Sequence, residues 1–156
     1  MMIREHKHAA RFHPARHNDR TKVVAKALGL SSMENISLMQ AANSGLSWAA
    51  ITRFLDCTGL SQQDLAHYLG IHALTFALRR KAGIFGKRES EQLLRLAELY
   101  QATLHLFGGD TDSARAWFTS PVRGLGSACP IDMARNEFGA REVQDLIGRL
   151  NNGIFS

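Results

Sequence analysis

Residues 59–83 read GLSQQDLAHYLGIHALTFALRRKAG, and this stretch is the most informative of the chain. It has the layout of a helix-turn-helix, in which two short helices cross steeply at a tight turn. The crossing needs a small residue in the first helix and a glycine in the turn, and Ala66 and Gly70 supply them. The apolar anchors are expected at Leu65, Leu69, Ile71 and either Leu74 or Leu78. A plain helical hairpin without a DNA role shares this apolar pattern and remains the alternative.

The second helix of a helix-turn-helix lies in the major groove, with its N-terminal residues facing base edges. The candidates for base contact are therefore His72, Ala73, Thr75 and Phe76. A basic cluster without an acid occupies residues 79–88 and is suited to phosphates; its members are Arg79, Arg80, Lys81, Lys87 and Arg88. Gln62, at the start of the first helix, is a candidate for contact with the DNA backbone. Phe76 and Leu78 make the second helix apolar, and their burial would leave fewer side chains to read bases.

The apolar residues outside this stretch also recur with helical spacing, which predicts an all-α chain. The predicted helices cover 20–30, Trp48–Thr58, 61–69, 72–82, Glu89–Phe107, 111–119, 130–136 and Ala140–Leu150, while 31–46 is ambiguous. Ser47, Ser61 and Asp110 are predicted N-caps, and Gly139 is predicted to interrupt the chain before the last helix. The expected organisation is a basic arm (1–20), a helix-turn-helix module with a long connecting helix (21–107) and a small helical C-terminal module (108–156).

The composition is ordinary for a globular protein, with 45% hydrophobic and 21% charged residues among 156. This content excludes a chain too polar to form a core. No segment reaches the roughly 20 apolar residues that span a bilayer, and the N-terminus lacks the apolar region of a secretory signal. Two cysteines, Cys57 and Cys129, cannot build a disulfide framework, which favours a reducing, cytoplasmic setting.

The net charge of +5 lies in the N-terminal arm. Residues 1–30 hold seven Lys and Arg against two acids, whereas residues 31–156 hold twelve of each sign. Such an arm can neutralise nucleic-acid phosphates, or it can be a solvated tail. Its four histidines do not have the spacing of a metal site, and no metal is predicted.

The sequence offers no catalytic motif. No serine sits in a nucleophile elbow, and no glycine-rich phosphate loop follows a strand. We therefore expect a protein that is not an enzyme and that needs no cofactor.

An ordered set of local patterns extends from about Leu60 to Ser156. The set runs through Thr75, Arg79-Arg80-Lys81, Gly83, Glu89-Ser90, Leu93 to Ala97, Phe107-Gly108, Asp110, Ala114, Ala116-Trp117, Pro121, Leu125-Gly126, Pro130-Ile131-Asp132, Gly139-Ala140, Val143, Leu146, Arg149-Leu150 and Gly153. In this order it resembles the Xre/MbcA/ParS antitoxins, which join a helix-turn-helix module to a C-terminal toxin-binding module. Leu78 and Gln92 stand where the family has arginine, and this departure concerns DNA affinity rather than the fold.

The resemblance implies an antitoxin of a type II toxin–antitoxin system that occludes the active site of a RES-domain, NAD-consuming toxin. In that family the C-terminal helix and tail cover the toxin's cleft. The residues that this maps to toxin contact are Arg141, Asp145, Arg149, Asn151, Asn152, Gly153, Ile154 and Phe155. From the residues alone, the Asn-Asn-Gly run can equally be a helix cap, and the last two apolar residues can fold back onto the core.

We also expect a homodimer, formed through the N-terminal half as symmetric DNA recognition requires, that represses its own operon by binding an inverted repeat of operator DNA. One alternative is a stand-alone helix-turn-helix transcriptional regulator without a toxin partner. Another is an antitoxin that binds its toxin but has lost DNA binding. The apolar second helix and the two missing arginines favour the second of these alternatives over the first.

Overall fold

The fold is that of a computed structural model, and the structure describes residues 24–29 and 38–153, without the side chain of Met39. Within these ranges the chain forms one helical turn at 24–27, a 3-10 helix at Arg123–Leu125 and eight α-helices, and it forms no β-strand. The α-helices are α1 (Leu38–Ser44), α2 (Trp48–Thr58), α3 (Gln62–Leu69), α4 (Ala73–Ala82), α5 (Lys87–Leu106), α6 (Thr111–Thr119), α7 (Pro130–Met133) and α8 (Glu137–Asn151). The predicted all-α fold is confirmed.

Short polar side chains cap the N-termini of three helices at the positions predicted from the sequence. Ser47 accepts a hydrogen bond from the Ala50 amide, and Ser61 accepts one from the Asp64 amide. Each bond satisfies an amide that has no partner within its own helix. Asp110 caps α6 in the same way. The three predicted N-caps are confirmed.

The long helix α5 is the centre of the core and packs against α1, α6 and α8. Its buried face includes Leu93, Leu96, Leu99 and Tyr100. The rings of Tyr100 and Phe118 meet edge-to-face with centroids 5.6 Å apart, which ties α6 to α5. On the other side, Ser90 accepts a buried hydrogen bond of 2.8 Å from the Leu46 amide. One continuous hydrophobic core therefore joins the N-terminal and C-terminal helices through α5.

The C-terminal end of α2 is held by side chains of two later helices. The Tyr100 hydroxyl donates to the carbonyl oxygen of Cys57 at 2.8 Å. The Arg115 guanidinium donates to the same oxygen at 3.1 Å and to the Asp56 carbonyl at 2.9 Å. These carbonyls have no partner within the helix, and a cation at this end also complements the helix dipole.

A buried amide forms a second link between the helices. The Gln92 side chain donates to the Ala134 carbonyl at 3.1 Å and to the Tyr68 carbonyl at 3.4 Å, and its oxygen accepts from Arg95 at 2.6 Å. Gln92 therefore joins α5 to the C-terminal ends of α3 and α7. A family arginine at this position suggested a role in DNA affinity, but Gln92 is buried and bonds the protein itself.

Several predicted boundaries are wrong. The last helix begins at Glu137, not Ala140, because Asn136 caps it by accepting from the Gly139 amide at 2.8 Å. Gly139 does not interrupt the helix: it lies in the first turn, where a Cβ atom would fall 1.9 Å from the Met133 carbonyl oxygen. A glycine is needed there because α7 and α8 approach so closely that no side chain fits.

Other differences are smaller. The helix predicted at 130–136 ends at Met133, and the loop before it contains the 3-10 helix. The ambiguous stretch 31–46 contains α1, whereas Met33 and Ile36 lie outside the described residues, as does the basic arm 1–20.

Candidate functional site

The helix-turn-helix geometry forms as its sequence pattern predicts. Leu65, Ala66 and Leu69 are buried, and Ile71 packs partly against the same core. Gly70 makes the turn with a φ of +70° and donates its amide to the end of α3. A left-handed φ suits glycine best, so this position lets α4 leave α3 at a steep angle.

Phe76 is the side chain that anchors α4 in the core, and its burial corrects two predictions. Phe76 was expected to contact bases, but its side chain is buried between Trp48 and Phe85, with ring centroids 6.0 and 5.3 Å away. Leu74 and Leu78, one of which was expected to be the anchor, are 72% and 59% exposed. The aromatic cluster offers a larger apolar contact than either leucine, so α4 turns Phe76 inward and both leucines outward.

The outward row of α4 consists of Leu74, Leu78 and Lys81. These residues are four and three residues apart, close to one helical turn, so they share a face opposite Phe76. Thr75 is half-buried beside this row, and His72 and Ala73 are exposed at the start of the helix. A base-reading role thus stays a prediction for His72, Ala73 and Thr75.

Some side chains of the basic cluster bond to neighbouring residues, and others do not bond to any described carboxylate. Arg79 pairs with Glu89 at 3.3 Å, and Arg80 donates to the Gln62 side-chain oxygen at 2.8 Å. Lys87 forms a looser exposed pair with Glu91, with an N–O distance of 3.9 Å. Lys81 and Arg88 are exposed and form no ion pair with any residue that the structure describes.

The predicted toxin-contact residues Arg141, Asp145 and Arg149 follow one another along α8 on the side opposite the buried Val143 and Ile147. Arg141 is exposed and pairs with Glu137 at 3.2 Å, one turn earlier. Asp145 is exposed. Arg149 is partly buried, and its Nε–H has no hydrogen-bond partner within the described part of the chain. The structure therefore places these three side chains along one helix face.

The end of α8 is a helix cap. The Asn152 side chain donates to the Gly148 carbonyl at 2.9 Å, and Gly153 adopts a φ of +69°. Asn151 is half-buried in the last turn. The capping interpretation of this run is confirmed for Asn152 in the unbound chain, while toxin contact by these three residues stays a prediction. Ile154 and Phe155 lie outside the described residues.

One exposed side chain of this module was missed in the sequence. Phe138 is 83% exposed in the first turn of α8. Its spacing of three and seven residues to Arg141 and Asp145 would have placed it on their face, had the start of the helix been predicted correctly.

Four titratable groups among the described residues have perturbed pKa values. Burial raises the pKa of the Tyr100 and Tyr68 hydroxyls, and nearby Asp132 adds to the effect at Tyr68. Burial and Asp132 raise the pKa of the Cys129 thiol. Hydrogen bonds from Ser113 lower the pKa of the Asp110 carboxyl.

Across the described residues, no group of three His, Cys, Asp or Glu side chains is placed to hold a metal ion. None of the helices in these ranges has the length and apolar character to cross a membrane.

Comparison with known proteins finds a matching family domain for the region of α4 and another for the region of α8. Residues 37–98 match the antitoxin Xre-like helix-turn-helix domain, and residues 102–153 match the C-terminal toxin-binding domain of the Xre/MbcA/ParS antitoxins. The outward row of α4 lies in the first range, and all of α8 lies in the second.

Two curated relatives are similar over most of their length, and both are named Antitoxin Xre. The relative from Yersinia enterocolitica is 32% identical over 138 residues, covering 88% of this chain and 93% of the relative. The relative from Photorhabdus laumondii is 29% identical over 141 residues, covering 90% of this chain and 95% of the relative. These proteins are antitoxins, a non-enzymatic family. The resemblance read from the sequence is thus confirmed: this chain belongs to the Xre antitoxin family, with an Xre-like helix-turn-helix domain followed by a toxin-binding domain.

Proposed function

We propose that this antitoxin binds a RES-domain toxin that consumes NAD and blocks the toxin's active site with α8 and the tail after it. The observation that carries the proposal is the charged face of α8, which is exposed at Arg141 and Asp145, lies inside the matched toxin-binding range and ends next to the C-terminal tail. Arg141, Asp145 and Arg149 line this face and are suited to fix the orientation of a protein partner. Asn151, Asn152 and Gly153 then direct Ile154 and Phe155 toward the cleft.

Co-expression with the product of the neighbouring gene tests this proposal. The full chain should restore growth and cellular NAD when the toxin is expressed, whereas a chain truncated after Leu150 should not. The variant Arg123→Ala is a suitable control, because it removes an exposed charge of the same domain from the 3-10 helix and leaves every residue of α8 and the tail in place. A neighbour that is harmless alone, or that forms no complex with the full chain, would refute the proposal.

We further propose that the protein acts in the cytoplasm as a homodimer that represses its own operon. A symmetric dimer would place two copies of α4 in successive major grooves of an inverted repeat. Lys81 and Arg88 are the first candidates for phosphate contact, because neither is paired with a described carboxylate. Arg79, Arg80 and Lys87 rank after them, because Glu89, Gln62 and Glu91 already hold one nitrogen of each side chain.

Fluorescence anisotropy on the DNA upstream of the operon tests DNA binding. Replacing Lys81 with alanine should weaken binding to all sequences and reduce the salt slope by about one. The control Arg123→Ala removes the same charge from the other domain and should leave both quantities unchanged. Equal affinities for the upstream fragment and for unrelated DNA would contradict specific repression.

A second candidate is an antitoxin that binds its toxin without binding DNA. The apolar outward row of α4 favours it, because Leu74 and Leu78 offer no hydrogen bond to a base edge and can contact only apolar groups such as the thymine methyl. The two candidates differ in the anisotropy experiment: this one predicts protection from the toxin with no operator complex at physiological salt.

A further inference from the structure

Phe138 is the most exposed large hydrophobic side chain that the structure describes. At 83% exposure it exceeds Leu74, Leu78 and Ile84, which all belong to the helix-turn-helix range. Among the described residues of the toxin-binding range 102–153, no other large hydrophobic side chain is exposed. Exposed aromatic rings of this kind serve as anchors in protein interfaces more often than other residue types do.

The local structure does not need the ring. The start of α8 is fixed by the Asn136 cap and by the close approach of Gly139 to Met133. The exposed pair between Glu137 and Arg141 spans the same turn without Phe138. The aromatic ring therefore makes no visible contribution to the fold of the described residues and is available for an external contact.

The position of the ring continues the proposed toxin-binding face. Asp145, Arg149 and Asn152 follow Phe138 by seven, eleven and fourteen residues, spacings that bring side chains to one side of a helix. At a rise of about 1.5 Å per residue, the face from Phe138 to Asn152 is about 21 Å long. One end carries the tail and the other end carries the aromatic ring, with alternating charges between them.

We propose that Phe138 is an anchor of the toxin interface, and that its ring inserts into an apolar pocket of the toxin at the end of α8 opposite the tail. The inference rests on the proposed function, in which the same helix face and the tail bind the toxin. Next to its pocket, along α8 toward the tail, the toxin carries groups that complement first Arg141 and then Asp145. Anchorage at both ends fixes the angle of α8 across the toxin, so that the tail is directed at the active site.

The toxin is the occupant that the surroundings favour over a second copy of this chain. Phe138 lies within the matched toxin-binding range and on the same face as the charged residues. The exposed apolar side chains Leu74, Leu78 and Ile84 lie in the other domain, where a DNA-binding dimer would form. A contact between two copies through Phe138 is an outcome that the experiment below separates.

The first experiment measures the affinity of the purified full chain for the purified neighbouring toxin by titration calorimetry. Phe138→Ala should weaken binding by about 30-fold or more, as for an interface anchor, while Phe138→Leu should retain most of the affinity. Leu74→Ala is the matched control, because it removes a similarly exposed apolar side chain from the other domain and should change affinity less than about 3-fold. The unfolding midpoints of the variants should equal that of the wild type.

The second experiment replaces Phe138 with a photoreactive benzoylphenylalanine in the full chain. Irradiation of the complex should join position 138 to the toxin, and the same group at position 74 should give no toxin adduct. Unchanged toxin affinity of Phe138→Ala would overturn the inference and leave the proposed function intact. A dimer that dissociates in Phe138→Ala without a loss of toxin affinity would assign the ring to self-association and would also overturn it. A wild-type chain that does not bind the toxin would overturn the proposed function together with the inference.

Discussion

Replacing Gly139 with alanine tests the contact on which the toxin-binding helix depends. A Cβ atom at this position would lie 1.9 Å from the Met133 carbonyl oxygen, 2.7 Å from its carbonyl carbon and 3.1 Å from its Cα. All three are backbone atoms, so no rotation of a side chain can relieve the overlap. The start of α8 must therefore move away from the end of α7 by more than 1 Å, and this movement disturbs the buried Ile131, Ala134 and Ala140.

The expected loss of stability follows from two opposing effects. Overpacking a well-packed site costs about 1–3 kcal/mol and sometimes more, and a backbone overlap belongs at the upper end of that range. Alanine in place of glycine inside a helix raises the free energy of unfolding by up to about 1 kcal/mol, because alanine has the higher helix propensity. The free energy of unfolding should therefore fall by about 2 kcal/mol, which lowers the melting temperature by roughly 5–8 °C for a chain of this size.

Gly148→Ala is the matched control in the same helix. No atom lies within 4 Å of a Cβ built at Gly148, so only the gain in helix propensity remains and the free energy of unfolding should stay equal or rise. Urea unfolding followed by circular dichroism measures both variants. If Gly139→Ala were as stable as Gly148→Ala, the close packing of α7 on α8 would be wrong, and with it the placement of Phe138 and Arg141.

Three further predictions concern the links between the helices and the cap of α6. Tyr100→Phe should lower the free energy of unfolding in urea by about 1 kcal/mol. The double variant with Arg115→Ala should lose more than the sum of the two single variants, because only then does the Cys57 carbonyl lack both donors. Additive losses would contradict the shared acceptor. Gln92→Leu should cost about 1–3 kcal/mol, since it leaves the buried Ala134 carbonyl unpaired, and a neutral result would exclude the bond. The pKa of Asp110 is lowered in the folded state from its ordinary value of 3.8, so its contribution to stability is present above that pH and is lost as the pH falls through the folded-state pKa. The melting temperature of the wild type should accordingly fall more steeply in acid than that of Asp110→Asn, which retains the cap; parallel curves would contradict the shift.

The local features of the fold could be predicted because they depend on neighbouring residues. Ser47, Ser61 and Asp110 each cap the helix that follows, and a hydroxyl or carboxylate before an apolar run predicts that bond from a few residues of sequence. Gly70 and its small partner Ala66 likewise determine the turn between α3 and α4 within five residues.

The features that were predicted wrongly from the sequence depend on contacts between distant residues. Gly139 was interpreted as a helix breaker because a glycine in isolation favours an interruption, but its role is set by Met133 on the preceding helix. Phe76 was assigned to bases because it lies where recognition helices carry base-reading side chains. Its burial is decided by Trp48 and Phe85, which come from outside the helix-turn-helix stretch.

The basic cluster shows why counting charges could not identify the DNA-binding side chains. Residues 79–88 contain no acid, so the five cations are equivalent in the sequence. In the structure, Glu89 follows directly after this cluster, is buried and forms an ion pair with Arg79. Gln62, from the preceding helix, accepts a hydrogen bond from Arg80. A guanidinium has five N–H donors, so Arg79 and Arg80 can still reach a phosphate, but each must do so from the position that its partner fixes, and the Glu89 carboxylate also offsets the charge of Arg79. Lys81 and Arg88, which form no ion pair with any described residue, should therefore contribute most to the salt dependence of any DNA complex, although the sequence motif emphasises the arginine pair.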